Sequence, residues 1–329
     1  MDIYQERAIQ ANERIAHLRT LLSEKLAAIP ASEDHPTLCI YATGSLARRE
    51  ASAHSDLDAF FMLSGSQKDK PIGRIRDVKI LNAVLDAADE AGFPDFSGDG
   101  EYLRFLHIND VVRHIGGRED DYANAFTARM LLLLESECLF HDENFTRFRD
   151  DIVDVYFNDF HQHADNFRSI FLINDVLRFW RTLCLNYESS RHWRGFEDDL
   201  SRAKGHLDNL KLKFSRLNIC YSFICHLLAQ GMPLTRETVI ATSRLSPFER
   251  LQGIALIDDR SQELVEIMKV QYAWFLESTG KPKEETLRWI ADESNRNDAF
   301  AQAAVFVENT VKLVTHIANK NDYLRYLIV

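Results

Sequence analysis

Cysteine is scarce and odd in number. Five stand among 329 residues, at positions 39, 138, 184, 220 and 225, and no two form a Cys-x-x-Cys pair. That pattern excludes a disulfide framework and argues against a structural zinc site. Four of the five sit in apolar helical or strand contexts, where reduced, buried thiols of a cytoplasmic protein are expected. No run approaches the roughly 18 uninterrupted apolar residues of a membrane span. The opening Met1-Asp2-Ile3-Tyr4-Gln5-Glu6 carries neither a basic nor an apolar leader segment, so the expected location is the cytoplasm, with no membrane partner. Internal repeats and low-complexity tracts are missing as well. Positive charge is in short supply: 39 Lys and Arg against 50 Asp and Glu leave a net charge of −11. Such a chain repels nucleic acid unless a local basic groove opposes the net field, so a general polynucleotide substrate is disfavoured.

What is present suffices for two domains, since the length and a 46% hydrophobic content allow a sizeable core. Ile9, Ile15, Leu18, Leu21, Leu22 and Leu26 recur at three- and four-residue steps and predict a helix over 4–28. Pro30 through Pro36 ends it. Strands are expected at 37–42 and 57–63, a loop at 64–71, a helix at 74–91 and a third strand at 102–107. From residue 108 the pattern is helical to the end, with few glycines and few β-rich runs. Helices are expected over 111–115, 123–140, 144–160 and 170–186. Further helices are expected at 204–229, 235–241, 247–258, 261–279, 283–295 and 298–318. The expected fold class is α+β, a small mixed-sheet domain followed by an all-helical domain. Its parts are an N-terminal helix at 1–29, the sheet domain at 30–140 and a helical domain at 141–329 that closes a cleft.

Chemistry concentrates in residues 44–58, Gly-Ser-Leu-Ala-Arg-Arg-Glu-Ala-Ser-Ala-His-Ser-Asp-Leu-Asp. In an extended Asp56-Leu57-Asp58 both carboxylates share a face while Leu57 points to the core. Two hard oxygen ligands suit Mg²⁺, and Mn²⁺ as its substitute, in company with substrate phosphates. Gly44 lets the backbone turn sharply and approach a phosphate. Leu46 through Glu50 can start a short helix there, and the Ser45 hydroxyl adds a donor. The bland alternative is a common Gly-Ser turn followed by a solvated strand edge. The two halves at this spacing, between two apolar runs, favour nucleotide chemistry.

This segment resembles the nucleotidyltransferases of the DNA polymerase β superfamily, and within them the PII-uridylyltransferase type. Gly44, Arg48, Glu50, Ser55, Asp56 and Asp58 match that pattern without a gap, whereas Ser45 and Ala47 replace glycines. Residues 126–136, 174–180 and 210–216 also resemble stretches of a bacterial branch of these enzymes, so the resemblance covers most of 30–230. It implies a metal pair on Asp56 and Asp58, phosphate contacts from Gly44 and Ser45, and Arg48 at the nucleotide. It also implies a third carboxylate on a neighbouring strand, for which Glu101 is the best-placed candidate and Asp99 the second.

In the helical half, Asp175 with Arg178, and Lys211 with Lys213, are candidates for the nucleotide, Lys204 and Arg216 lying nearby. Their ordinary roles would be an i,i+3 ion pair and a solvated face. Asp120, Asp121 and Arg129 allow a similar reading, or a helix cap. His141-Asp142 and the His161, His163 pair lack further ligands at familiar spacing. At 329 residues, the hydrolase and sensing domains of a full uridylyltransferase are not expected. The expected activity is Mg²⁺-dependent transfer of a nucleoside monophosphate from a triphosphate to a protein or small-molecule acceptor, with pyrophosphate released. The alternatives are a nucleotide-binding or protein-interaction module without turnover and, less favoured, nucleotide addition to an RNA 3′ end.

Overall fold

The computed structural model describes residues 2–29, 37–66, 74–96, 103–122, 124–162, 164–165, 167–194, 198–231, 233–320 and 322–328. Helix α1 (Ile3–Ala27) starts where the Asp2 carboxylate accepts from the backbone N–H groups of Tyr4 at 2.6 Å and Gln5 at 3.3 Å, a standard N-cap. Its apolar stripe of Ala11, Ile15, Leu18, Leu22 and Leu26 is buried. Strand β1 (Leu38–Thr43) follows, then the single turn α2 (Gly44–Ala47), β2 (Asp58–Leu63) and helix α3 (Arg74–Glu90). Next come β3 (Phe105–His107), α4 (Ile108–Arg113), α5 (Arg118–Tyr122), α6 (Ala125–Leu134), β4 (Glu137–Phe140) and α7 (Asp142–Val155).

The four strands lie in the order β3-β2-β1-β4. β1 is antiparallel to β2 and to β4, and β2 is parallel to β3, so the sheet is mixed. Alternation sorts its two faces. Leu38, Ile40, Ala42, Ala59, Phe61 and Leu63 join α1 and α3 in one apolar core. On the other face Tyr41 stacks on Phe60, ring centres 5.6 Å apart, and meets Phe145 of α7 at 6.0 Å. Asp58 shares this second face and occupies its end, directly across from Thr43.

The fourth strand corrects the expectation of one helix over 123–140. Glu135 leaves helical geometry at φ −154°, ψ 70°, and Ser136 Oγ caps the Leu132 carbonyl at 2.6 Å. The chain then pairs Glu137 with Ala42 and Phe140 with Ile40. A short run such as Met130–Leu134 reads as helix or buried strand with equal ease, and only the pairing with β1 reveals where it stops. The short helices α5 and α16 (Leu324–Ile328) also went unanticipated.

The chain divides into two compact units, 1–155 and 156–329, so α7 counts with the sheet on which it packs. Among its described residues, all regular structure in the second unit is helical. It comprises a short 3₁₀ turn, α8 (Ile170–Arg194), α9 (Asp199–Lys211), a π-helical turn at Leu212–Arg216, α10 (Leu217–Ala229) and α11 (Arg236–Arg244). Then follow α12 (Pro247–Ala255), α13 (Asp259–Thr279), α14 (Lys283–Ala291), α15 (Glu293–Lys320) and α16. Phe214, in the π turn, centres an aromatic core with Phe275 at 4.8 Å and Phe306 at 5.0 Å. The fold is therefore α+β, a small mixed sheet with its helices followed by helices alone. Among the described residues no helix is long and apolar enough to cross a membrane, and all five cysteines are free thiols.

One buried group makes this unit pH-sensitive. His226 on α10 sits beside the Thr242 hydroxyl, Nδ1 to Oγ1 at 3.0 Å, and against Gly253, where a built Cβ would lie 3.1 Å from Nε2. Burial, and secondarily the charge of Arg250, push its imidazole down from 6.5 to about 4. The folded state thus refuses a proton that the unfolded chain accepts. Stability is full above the unfolded value and declines as pH falls from there toward 4. Between pH 7 and pH 5 the expected loss is about 2 kcal/mol. Urea unfolding followed by tryptophan fluorescence reads this unit specifically, because Trp180, Trp193, Trp274 and Trp289 all belong to it. His226→Asn should remove most of the slope over that range, leaving the contribution of His206, whose imidazole is also pushed down by burial; an equal slope in the variant would refute the assignment.

Candidate active site

β1 delivers the chain to Gly44 with φ at +70°, a backbone state that L side chains rarely adopt. The turn is tight. Arg48 N donates to Gly44 O at 3.0 Å, Arg49 N to Leu46 O at 3.1 Å and Glu50 N to Ser45 O at 2.9 Å. Because Thr43 is paired with Asp58, the turn comes to lie on the Asp58 carboxylate: a Cβ built on Gly44 would stand 2.6 Å from Asp58 Oδ2. Glycine is required here twice, by the dihedral angle and by the space. Gly44 is buried, whereas Ser45 is half-buried. The Thr43 side chain makes no capping bond to the N–H groups at the start of α2.

Asp56 and Asp58 are both half-buried and flank Leu57, which is 1% exposed and part of the α1–α3 core. Asp58 is held by the strand ladder; Asp56 precedes the first residue of β2. The turn before it is closed by Ser55 N to Ser52 O at 3.1 Å, Ser52 N to Ser55 Oγ at 3.0 Å and His54 N to Ser52 Oγ at 3.2 Å. Arg14 reaches over from α1 and donates to the carbonyls of Ser52 at 2.8 Å and Ser55 at 3.2 Å. Burial lowers the Arg14 pKa, and the neighbouring Asp56 charge opposes that drop.

Arg48 follows the turn directly, yet its side chain goes inward. It is 7% exposed, with the guanidinium between two buried carboxylates, Glu50 at 2.6 Å and Glu135. Its position supports the turn from beneath. Arg49, at φ +62°, binds Glu137 at 3.3 Å, and Arg19 of α1 binds the same carboxylate at 2.8 Å while donating to Cys138 O at 2.8 Å. The turn, α1 and β4 are thereby tied together.

Glu101 and Asp99 lie outside the described residues. Asp175, Arg178, Lys211 and Lys213 belong to the second unit. Asp175 is buried there, accepts from the Tyr156 hydroxyl at 2.7 Å and stands 3.6 Å from Arg178. Lys211 ends α9 exposed, and Lys213 is half-buried in the π turn. Asp120 and Arg129 form a fully buried two-bond ion pair at 2.7 and 3.0 Å inside the first unit, so their role is packing α5 on α6. His163 is outside the described residues. Among the described residues no group of three His, Cys, Asp or Glu side chains converges to hold a metal.

Sequence reasoning missed Arg14 and Glu135. Arg14 had a faint signal, a cation beside the apolar stripe between Ala11 and Leu18; Glu135 had none, because it was read as the interior of a helix.

Two carboxylates beside a glycine turn fit Mg²⁺ in its usual protein setting, where one or two carboxylates share the ion with substrate phosphates. They do not make an all-protein cage. No curated protein matches the chain. Residues 4–100, a span that begins with α1 and contains the turn, both aspartates and α3, match the family model described as "Putative nucleotidyltransferase DUF294", which supports a nucleotidyltransferase assignment for this part of the chain.

Proposed function

We propose that the protein is a divalent-metal-dependent nucleotidyltransferase that moves a nucleoside monophosphate from a nucleoside triphosphate to a protein or small-molecule acceptor. One observation carries the reading above all: the left-handed Gly44 turn packs against the Asp58 carboxylate with no room for a side chain. Backbone that can approach a phosphate is thereby set in contact with a carboxylate that can hold a cation. In this reading Asp56 and Asp58 hold Mg²⁺ or Mn²⁺. The turn at Gly44 and Ser45 seats the phosphates, and the Ser45 hydroxyl donates to them. Bound metal supplies charge neutralisation for an in-line displacement at the α-phosphorus, with pyrophosphate leaving. The rigid turn supplies the positioning on which phosphoryl-type transfer chiefly depends. The PII-uridylyltransferase-like spacing of Gly44, Arg48, Glu50, Asp56 and Asp58 favours a discrete acceptor, and the net charge of −11 weighs against an RNA end.

The test supplies each α-labelled triphosphate with Mg²⁺ or Mn²⁺ and native cell extract, then follows label by molecular weight alongside pyrophosphate release. Label should depend on metal and disappear in Asp56→Ala and Asp58→Ala. Labelling unchanged by both substitutions overturns the proposal. Triphosphate binding by calorimetry without any pyrophosphate release would instead identify a binding module.

A further inference from the structure

We propose that Arg14, on the N-terminal helix, is a positioning residue for Asp56, its guanidinium fork fixing the turn that delivers that carboxylate. The inference rests on the metal-holding role of Asp56 proposed above.

The two aspartates are held by different means. Asp58 is locked by pairing with Thr43 in the β1–β2 ladder. Asp56 lies two residues before the strand and has no rung in that ladder. On its downstream side Leu57 is anchored in the core. On its upstream side stands the Ser52–Ser55 turn, whose two terminal carbonyls both receive Arg14. A planar guanidinium donates to two acceptors in fixed geometry; a lysine ammonium is a point donor on a flexible stem. The fork is itself immobilised, with Cζ 3.9 Å from the centre of the Phe93 ring, a cation–π contact. Phe93 is buried against the α1–α3 core just past Gly92.

A half-buried guanidinium loses hydration, and its two bonds to part-buried carbonyls offset that loss by fixing the turn. The same arrangement is useful if the residue leaving the turn must stay in register with Asp58. Groups that orient metal-holding carboxylates from behind are worth roughly 10- to 100-fold in metal affinity or activity.

The test measures Mn²⁺ binding by electron paramagnetic resonance in the presence of an α,β-methylene triphosphate, which cannot turn over. It compares wild type with Arg14→Lys and Asp56→Ala. Arg14→Lys should weaken Mn²⁺ binding about tenfold or more. It should raise the metal concentration needed for half-maximal label transfer more than the triphosphate KM, and speed amide exchange across residues 53–57. Asp56→Ala losing Mn²⁺ while Arg14→Lys binds it as wild type does would overturn the Arg14 role and leave the metal site standing. Asp56→Ala binding Mn²⁺ like wild type would remove the metal site, and the Arg14 role with it. If Arg14→Lys does not fold, Phe93→Leu decides: a smaller loss in the same direction supports the role, and unchanged binding refutes it.

Discussion

Gly44→Ala is expected to lose label transfer by about a hundredfold or more while the protein still folds. Two costs act at once. At φ +70° an alanine carries left-handed strain of about 1–2 kcal/mol. Its Cβ would also stand 2.6 Å from Asp58 Oδ2, closer than real Cβ atoms come to any neighbour. Either the Asp58 carboxylate rotates away or the turn retreats, and both outcomes separate the proposed phosphate seat from the oxygen proposed to hold metal. A displacement near 1 Å in such a site is enough for about a hundredfold in rate. Gly65→Ala is the matched control. It carries the same sign of strain at φ +85°, but its Cβ would meet nothing within 4 Å. It should therefore cost stability and spare activity. Equal transfer by wild type and Gly44→Ala, with circular dichroism showing both folded, would remove the Gly44–Asp58 contact from the mechanism.

The contrast between those two glycines also shows what was legible in the sequence. A glycine followed twelve and fourteen residues later by aspartates, between apolar runs, was enough to locate the turn, the start of β2 and the buried Leu57. All three depend on local rules, strand alternation and the conformational freedom of glycine, that need no partner. β4 was not legible, because Glu137–Phe140 follows the apolar run of α6 with no breaker between them, and only its pairing with Ala42 and Ile40 marks it as a strand. The roles of Arg14, Arg19 and Arg48 were hidden for a related reason. Each contact spans 38, 118 or 87 positions in sequence, from Arg14 to Ser52, Arg19 to Glu137 and Arg48 to Glu135. Motif spacing along the chain carries no trace of such distances. Arg48 is the instructive case: the resemblance places it at the nucleotide, and its surroundings are two buried glutamates.

That arrangement leads to the largest expected effect on stability. Glu135→Ala should destabilise the first unit by about 3 kcal/mol, the lower end of what removing one partner from a buried ion pair costs, because Glu50 still holds the guanidinium. Arg48 and both carboxylates are almost fully withdrawn from water. Deleting one carboxylate leaves the guanidinium in low dielectric without that partner. Arg48 is the residue that closes α2, and Glu135 the one that ends α6 before β4. The pair therefore joins the Gly44 turn to the segment that enters the edge strand β4. Replacing all three members, as Arg48→Met with Glu50→Gln and Glu135→Leu, should recover part of the loss, because no charge of the cluster is then left buried. Tryptophan fluorescence is blind to this unit, so unfolding is best followed by amide exchange in β1 and β4 across a urea series. Exchange midpoints unchanged in Glu135→Ala would refute a structural role for the pair. Triphosphate affinity separates the two uses of Arg48. If its guanidinium reached substrate, releasing it from Glu135 would preserve or raise that affinity. If it supports the turn from beneath, affinity should fall together with stability, and Glu135→Gln, which keeps an acceptor oxygen for the guanidinium, should restore part of both.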